Sequence, residues 1–258
     1  MNDTPLEHWA DALTASLGPS RVVQVFRQSA STQDLARRLI EARGDEATGG
    51  LIVAEHQTAG RGRLGRTWHS PTGACLTFSL ILPATPAALE RIAFAVSVAL
   101  SRVLDRWLEP VGTETIIKWP NDIYTDRGKL AGILVEACPC YAVVGVGVNV
   151  GLGAEQLSAD LCGHATSLQM CGADADRLDV LQAAVEHIEA AVNERDESRL
   201  LETWRRKCGM LHRDVRLGHD GQVIEGRVID VDLRDGLIVR RVSGEIVHLP
   251  AATTTVLS

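Results

Sequence analysis

The sequence lacks the marks of several large protein classes. No apolar run approaches the length needed to cross a bilayer, and the opening residues, Met1-Asn-Asp-Thr-Pro-Leu-Glu7, carry neither the basic nor the apolar region of a secretion signal. Six cysteines, at 75, 138, 140, 162, 171 and 208, include no paired C-x-x-C spacing. Cys138-Pro-Cys140 and Cys162-Gly-His164 resemble ligand pairs, but no second pair completes a site. The expectation is a cytoplasmic chain with reduced thiols, no structural metal and no membrane partner. Excess positive charge is missing too. Lysine plus arginine total 26 against 33 acids, a net −7, which opposes a nucleic-acid binder. The N-terminal stretch offers one amphipathic segment, Leu6 to Leu17, stopped by Gly18-Pro19, too little for a helix-turn-helix module. There is no Ser–His–Asp arrangement, no carboxylate pair at useful spacing and no Walker lysine motif, so common hydrolytic chemistries lack their parts.

What is present centres on residues 60–66. Gly60-Arg-Gly-Arg-Leu-Gly-Arg66 packs three glycines and three arginines into seven residues, between an apolar strand and Thr67-Trp-His-Ser-Pro71. Glycine permits close backbone approach, and arginine offers a flat, permanently charged fork for carboxylate or phosphate oxygens. Three cations on a free loop repel one another, so an anionic ligand would favour its ordering. The letters Gly60-x-Gly62-x-x-Gly65 also match a dinucleotide fingerprint. That motif must open a helix, and Ser70-Pro71-Thr72-Gly73 oppose one. A solvated basic turn is the bland alternative to an anion clamp.

The remaining pattern is alternating strands and helices, then short strands. Arg21–Phe26 reads as a strand. Ser31-Thr-Gln-Asp34 resembles a capping box opening a helix that Gly44 ends. Strands are expected at Leu51–Glu55 and Cys75–Leu82, with a core helix from Ala87 to Leu108. Thr115–Tyr124 reads as a strand broken by Pro120, and Lys129–Glu136 follows a turn at Asp126–Gly128. In Tyr141–Val150, alternation puts Val144, Val146, Val148 and Val150 on one face, and Gly145, Gly147 and Asn149 on the other. The glycine face is either a floor for a flat ring or the seat of a closely packed helix. Residues 151–170 read as loop, with Ala165-Thr-Ser-Leu168 leading toward a helix. Helices follow at Arg177 to about Asn193 and at Ser198 to Lys207. From Asp214, hairpin signals at His219-Asp-Gly221, Arg234-Asp-Gly236 and Ser243-Gly244 point to a small β module packed on the rest.

Polar residues without an obvious structural task collect as Ser31, Thr32, Gln57, the loop arginines, Trp68, Lys118, Asn121, Asp122, Lys129 and Asn149. Basic groups for anions, amides and hydroxyls for a neutral polar head, and a glycine floor suit the joining of a carboxylate to a nucleotide phosphate. These motifs resemble, in order, those of biotin protein ligases: Ser31-Thr32-Gln33, Gln57-Thr-x-Gly-Arg-Gly-Arg-x-Gly-Arg66 with Trp68 and Ser70-Pro71, Lys118-Trp-Pro-Asn-Asp122, Lys129-x-x-Gly-Ile-Leu-Val-Glu136 and Gly145-Val-Gly-Val-Asn149. The resemblance is dense over residues 22–168. The family's usual Ser-Thr-Asn stands here as Ser31-Thr32-Gln33, which puts a contact from Gln33 in doubt.

The resemblance implies an α/β (α+β) mixed-sheet catalytic domain, related to class II aminoacyl-tRNA synthetases, over residues 1–208. A C-terminal SH3-like β-barrel would occupy residues 209–258. It implies activation of biotin by Mg-ATP to biotinyl-5′-adenylate and transfer to a lysine of the biotin carboxyl carrier domain of acyl-CoA carboxylases. No DNA-binding module is expected, and monomer and homodimer are both open. In this reading Lys129, Arg61 and Arg63 are catalytic. Biotin meets Ser31, Thr32, Gln57, Gly60, Arg61, Gly62, Arg63, Lys129 and Gly132. The nucleotide meets Arg63, Arg66, Trp68, Lys118, Asn121, Asp122, Lys129 and Asn149, with Mg²⁺ held by its phosphates. Trp68 either stacks on adenine or covers the adenylate, and Asn149 holds adenine or ribose. Asp122 serves the incoming lysine, Mg²⁺ or an ion pair with Lys118. A lipoate or octanoate ligase on the same fold would want an apolar pocket in place of Ser31, Thr32 and Gln57. A non-catalytic biotin sensor would have no use for Lys129 and the full arginine set.

Overall fold

The computed structural model describes residues 4–85, 88–159 and 161–257. A 3₁₀ turn at Leu6–His8 leads into α1 (Trp9–Leu17), which ends where Gly18 takes φ 109°. Strand β1 (Val23–Ser29) runs into α2 (Thr32–Arg43). Gly44, at φ 54°, closes α2 with its N–H on the Ile40 carbonyl. At the other end the capping-box reading fails. Ser31 sits at the N-cap but makes no side-chain cap hydrogen bond, because this helix start is turned into a polar cluster inside the protein.

Strands β2 (Leu51–Gln57) and β3 (Cys75–Pro83) precede α3 (Leu89–Leu108). Ala87, the expected start of α3, lies outside the described residues. The interrupted strand is two strands, β4 (Ile116–Lys118) and β5 (Asp122–Thr125), joined through a cis Trp119–Pro120 bond. Proline is thus excluded from the ladder, as its missing N–H requires. Strands β6 (Gly128–Cys138) and β7 (Tyr141–Asn149) complete the main sheet, in the order β1-β2-β3-β7-β6-β5-β4. Only the β1–β2 pair is parallel among these, with α2 as its crossover, so the sheet is mixed. Helices α4 (Arg177–Val192) and α5 (Glu197–Lys207) follow. No helix begins at Ala165–Leu168; those residues form bridges and turns, and α4 starts further on.

Both faces of β7 are buried, and they bury different things. Val144, Val146 and Val148 join the large cluster under α3 and α4. Tyr141 and Val143, on the opposite face, join Ala36, Leu39, Ile52 and Ile81 beneath α2. Helix α2 covers only the first part of that face. Where the helix starts, the sheet is left open.

The C-terminal strands, β8 (Asp214–His219), β9 (Gln222–Asp232), β10 (Gly236–Arg241), β11 (Ile246–Leu249) and β12 (Thr254–Val256), form an antiparallel sheet ordered β11-β10-β9-β8-β12. The turns fall at the expected positions, with Asp220, Gly221, Gly236 and Gly244 at positive φ. Leu217, Val228, Leu237, Val239 and Leu249 join the α3–α4 cluster, so this sheet shares its core with the main one. A buried polar knot ties α3, β4 and α5 together. Asp105 accepts hydrogen bonds from Thr115 N at 2.8 Å and Thr115 Oγ1 at 2.9 Å, and pairs with Lys207 Nζ at 2.9 Å. Removing the carboxylate strands the buried Thr115 N–H and leaves Lys207 Nζ with only the exposed Glu114, at 3.0 Å. Asp105→Ala is expected to cost about 3 kcal/mol of stability, read as a lowered urea midpoint; an unchanged midpoint would show that the knot carries no net stability.

Candidate functional site

Register brings the site residues into line. One transverse row of the main sheet runs Lys118, Asp122, Gly132, Gly147, Thr77 and Ala54, each paired with the next. The next row places Leu134, Gly145 and Ser79 side by side. Gly132 and Gly147 are therefore adjacent glycines on the open part of the sheet. The indole of Trp68 lies on them: a Cβ at 147 would stand 2.3 Å from Trp68 Cε2, and one at 132 would stand 3.1 Å from Cζ3. Gly145 instead receives the amide of Gln33, from the first turn of α2, which a Cβ there would meet at 3.0 Å. Both readings of the glycine face hold, one per glycine.

Lys129 reaches this face through an irregularity. Pairing moves from Ile123–Ala131 to Tyr124–Lys129, leaving Leu130 as an extra residue. A bulge resets the alternation. Leu130 goes fully into the core, and Lys129 turns to the side of Asp122 and Tyr124. Simple alternation from Gly132 would have aimed Lys129 the other way. Its Nζ lies 2.8 Å from Asp122 Oδ1 and 5.7 Å from the Trp68 ring centre. Asp122 thus takes Lys129 as its partner, correcting the proposed pair with Lys118. The Lys118 ammonium sits 5.0 Å from the centre of the Tyr124 ring.

The walls enclose a cavity of about 320 Å³. At one end is a chain of polar side chains: Gln57 Oε1 accepts from Thr32 N at 2.8 Å, the Ser79 hydroxyl donates to Gln33 Oε1 at 3.0 Å, and its oxygen lies 2.8 Å from the Thr32 hydroxyl, from which it can accept. Ser31, Thr32, Gln33 and Ser79 are buried, so the cavity's interior end is polar. At the mouth stands the arginine loop. It closes on itself through Gly62 N to Arg66 O at 2.7 Å and Trp68 N to Gly60 O at 2.9 Å, with Leu64 at φ 56° and mostly exposed.

Each loop arginine is treated differently. Arg61 is held by both carboxylate oxygens of Asp34, at 2.9 and 2.7 Å, and this bond holds the Asp34 carboxyl below its usual range. Arg63 is the most deeply placed; burial pushes its guanidinium down, and it donates to the Ala251 carbonyl and to Asn121 Oδ1 at 3.5 Å. Arg66 has no ion-pair partner among the described residues. Lys118, Arg63 and Arg66 thus stand around one opening without an ion pair among the described residues, on a chain of net charge −7.

Of the residues singled out in the sequence, Ser31, Thr32, Gln57, Arg61, Gly62, Arg63, Arg66, Trp68, Lys118, Asn121, Asp122, Lys129 and Gly132 line this cavity. Gly60 and Asn149 do not. Gly60 lies against the Trp68 carbonyl, which its missing Cβ would meet at 2.5 Å. Asn149 is buried, its amide donating to the carbonyls of Lys129 and Thr166 at 3.3 and 2.9 Å. It braces the backbone that presents Lys129. The sequence put a contact from Gln33 in doubt and missed Tyr124, and Thr255 with Val256 from the C-terminal sheet, all of which line the cavity; Ser79 lies fully buried behind it, bonded to Thr32 and Gln33. Ser79 and Tyr124 are readable only through strand pairing, and nothing local marks residues 255 and 256.

A glycine-floored pocket with a polar inner end and a cationic mouth has the chemistry of a site for a small polar ring beside a polyanion. A model of the biotin/lipoate A/B protein ligase family matches residues 25–152. The chain is 31% identical over 226 residues to the bifunctional ligase/repressor BirA of Escherichia coli (strain K12), covering 81% of this chain and 69% of that relative. It is 36% identical over 177 residues to the biotin–[acetyl-CoA-carboxylase] ligase of Mycobacterium tuberculosis, covering 67% and 64% respectively. Among solved structures, the biotin protein ligase from Aquifex aeolicus in complex with biotin and ATP superposes with a TM-score of 0.76 at 27% identity, over 91% of this chain and 98% of that one. The chain belongs to the biotin/lipoate A/B protein ligase family.

The floor makes a graded prediction. Gly147→Ala forces the indole off its seat, whereas Gly132→Ala asks only for a small shift. The first should cost about 1–3 kcal/mol and the second less, by chemical denaturation of the two variants; equal midpoints would mean that Trp68 does not rest there.

Proposed function

We propose that this chain is a biotin protein ligase, which activates biotin with ATP and transfers it to a lysine of a biotin carboxyl carrier domain. The observation that carries the reading is Lys129, bulged onto the face of Gly132 and Gly147, between a polar inner pocket and three cations that make no ion pair among the described residues. Taken with it, residues 1–208 supply the reacting site and residues 209–258 a C-terminal β module.

In the first step a biotin carboxylate oxygen attacks the α-phosphorus, and the bond to pyrophosphate breaks. Two anions must approach one another, so positive charge is needed where they meet. Lys129 stands there, already oriented by Asp122. Arg63, Arg66 and Lys118 receive the phosphates, with Mg²⁺ arriving on the triphosphate and screening its charge. The buried end of the pocket suits the ureido ring, whose carbonyl and N–H groups need partners once dehydrated. Ser31, Thr32, Gln33 and Gln57 line that end and offer both donors and acceptors. Trp68, whose buried indole N–H has no partner among the described residues, covers the reacting groups and shields the mixed anhydride from water. In the second step the carrier lysine amine attacks the acyl carbon. The bond to AMP breaks, and the amine gives up its proton. Asp122, 2.8 Å from Lys129, is a nearby carboxylate for that proton.

A lipoate or octanoate ligase would find little use for four polar side chains at the closed end. Incubation with ATP, biotin and a carrier domain should raise the carrier's mass by one biotinyl group; no mass gain and no pyrophosphate release would end the reading. Lys129→Ala should fold normally and lose at least about a hundredfold in adenylate formation. Near-normal pyrophosphate release from that variant would remove Lys129 from its assigned role.

A further inference from the structure

We infer that Glu90 is a positioning residue for Arg63, acting through the backbone of Ala251, so that the C-terminal sheet holds the arginine loop at the cavity mouth. The contact stands on geometry alone; its effect on activity rests on the ligase reading above.

Glu90 lies in the first turn of α3, and its Oε1 accepts a hydrogen bond from the Ala251 N–H at 2.6 Å. The carbonyl of the same residue accepts from Arg63 Nη2, and the Thr254 carbonyl accepts from that nitrogen at 3.5 Å. The turn Ala251–Thr253 is thus gripped by a carboxylate from the main body on one side, and grips the loop arginine on the other. No nearer hydrogen bond to Arg63 comes from a charged side chain among the described residues.

The choice of partners matters chemically. Arg61 is paired directly with a carboxylate, so an incoming anion must compete with Asp34. Backbone carbonyls orient Arg63 without cancelling its charge, which stays available to a phosphate or carboxylate. Glu90 fixes the arrangement from one residue away, near enough that its charge also favours the Arg63 guanidinium directly. It is half-buried, and burial pushes its carboxyl up while the Ala251 N–H pulls it back. A second cavity of about 710 Å³ borders this contact, and Arg63, Pro120, Asn121 and Ile133 line both cavities. Glu90 and Ala251 line the second, so the turn has room to move once Glu90 lets go.

The test compares Glu90→Ala, Glu90→Gln, Arg63→Ala and the Glu90→Ala/Arg63→Ala double variant. Adenylate formed from ATP and biotin is followed as it leaks and hydrolyses without carrier. Glu90→Ala should leak about tenfold faster, as expected for a lost hydrogen bond to a charged group. Glu90→Gln, whose amide oxygen still accepts, should stay within about threefold of the parent. The double variant should leak no faster than Arg63→Ala, because one residue acts through the other. In parallel, trypsin digestion of the ligand-free protein should cut the 61–66 segment faster in Glu90→Ala. Parent-like leakage with only a lowered melting midpoint, additive losses in the double variant, or unchanged trypsin cleavage would each overturn the inference. If the parent protein makes no adenylate, the ligase reading fails, and the trypsin comparison still decides the contact.

Discussion

The site exists because two neighbouring strands carry glycine at facing positions just beyond the start of a covering helix. Gly132 and Gly147 are register partners, and α2 begins next to Gly145. Any side chain at 147 would occupy the space the Trp68 indole now fills. Close packing leaves few voids in a protein interior, so a pocket has to be built by leaving side chains out. Here the omission is made in the centre of the sheet, where the surrounding backbone is pinned by ladder hydrogen bonds on both sides. The floor is therefore rigid, and the parts that move must be those laid over it.

Those upper parts are held by three kinds of restraint. Trp68 is held by shape. Arg61 is held by a charge pair whose two members are both partly exposed, the kind of interaction worth about 1 kcal/mol or less and open to competition. Arg63 is held by backbone carbonyls from the second sheet. Each loop guanidinium has its own direction, which spreads the three clustered cations apart: one points to an acid, one to carbonyls and one to the opening.

The pocket's two ends impose different chemistry. Buried hydroxyls and amides at the inner end hydrogen-bond among themselves, and such a network accepts only a ligand that replaces what it removes. The mouth is partly solvated and positive, suited to phosphates. A molecule that joins a neutral polar ring through a chain to a carboxylate, and then to a nucleotide, matches both ends in order. Asn149 and Gly60 serve the same arrangement from behind. One braces the Lys129 backbone and the other lets the loop pass close to Trp68.

Much of this was legible in the residues. The valine–glycine alternation of 141–150, the proline break at 120, the hairpin turns after 214 and the arginine–glycine loop each depend on local chemistry, and local chemistry is written in order along the chain. Thirteen of the singled-out residues line one cavity because their motifs are local. What sequence could not supply were the relations that need partners from elsewhere. A one-residue bulge opposite β5 reverses the side on which Lys129 points, and it shows only when the two strands are paired. Ser31 loses its expected capping role because α2 starts inside a polar cluster. Ser79 is brought behind the pocket by strand pairing, and Ala251 reaches Arg63 across 188 residues of chain. Sequence by itself determined which segments are strands, helices and turns, and which side chains could handle an anion, since those follow from backbone sterics and functional groups. Tertiary structure alone decided which of them face one another, because register, bulges and the meeting of distant segments depend on packing that no single stretch contains.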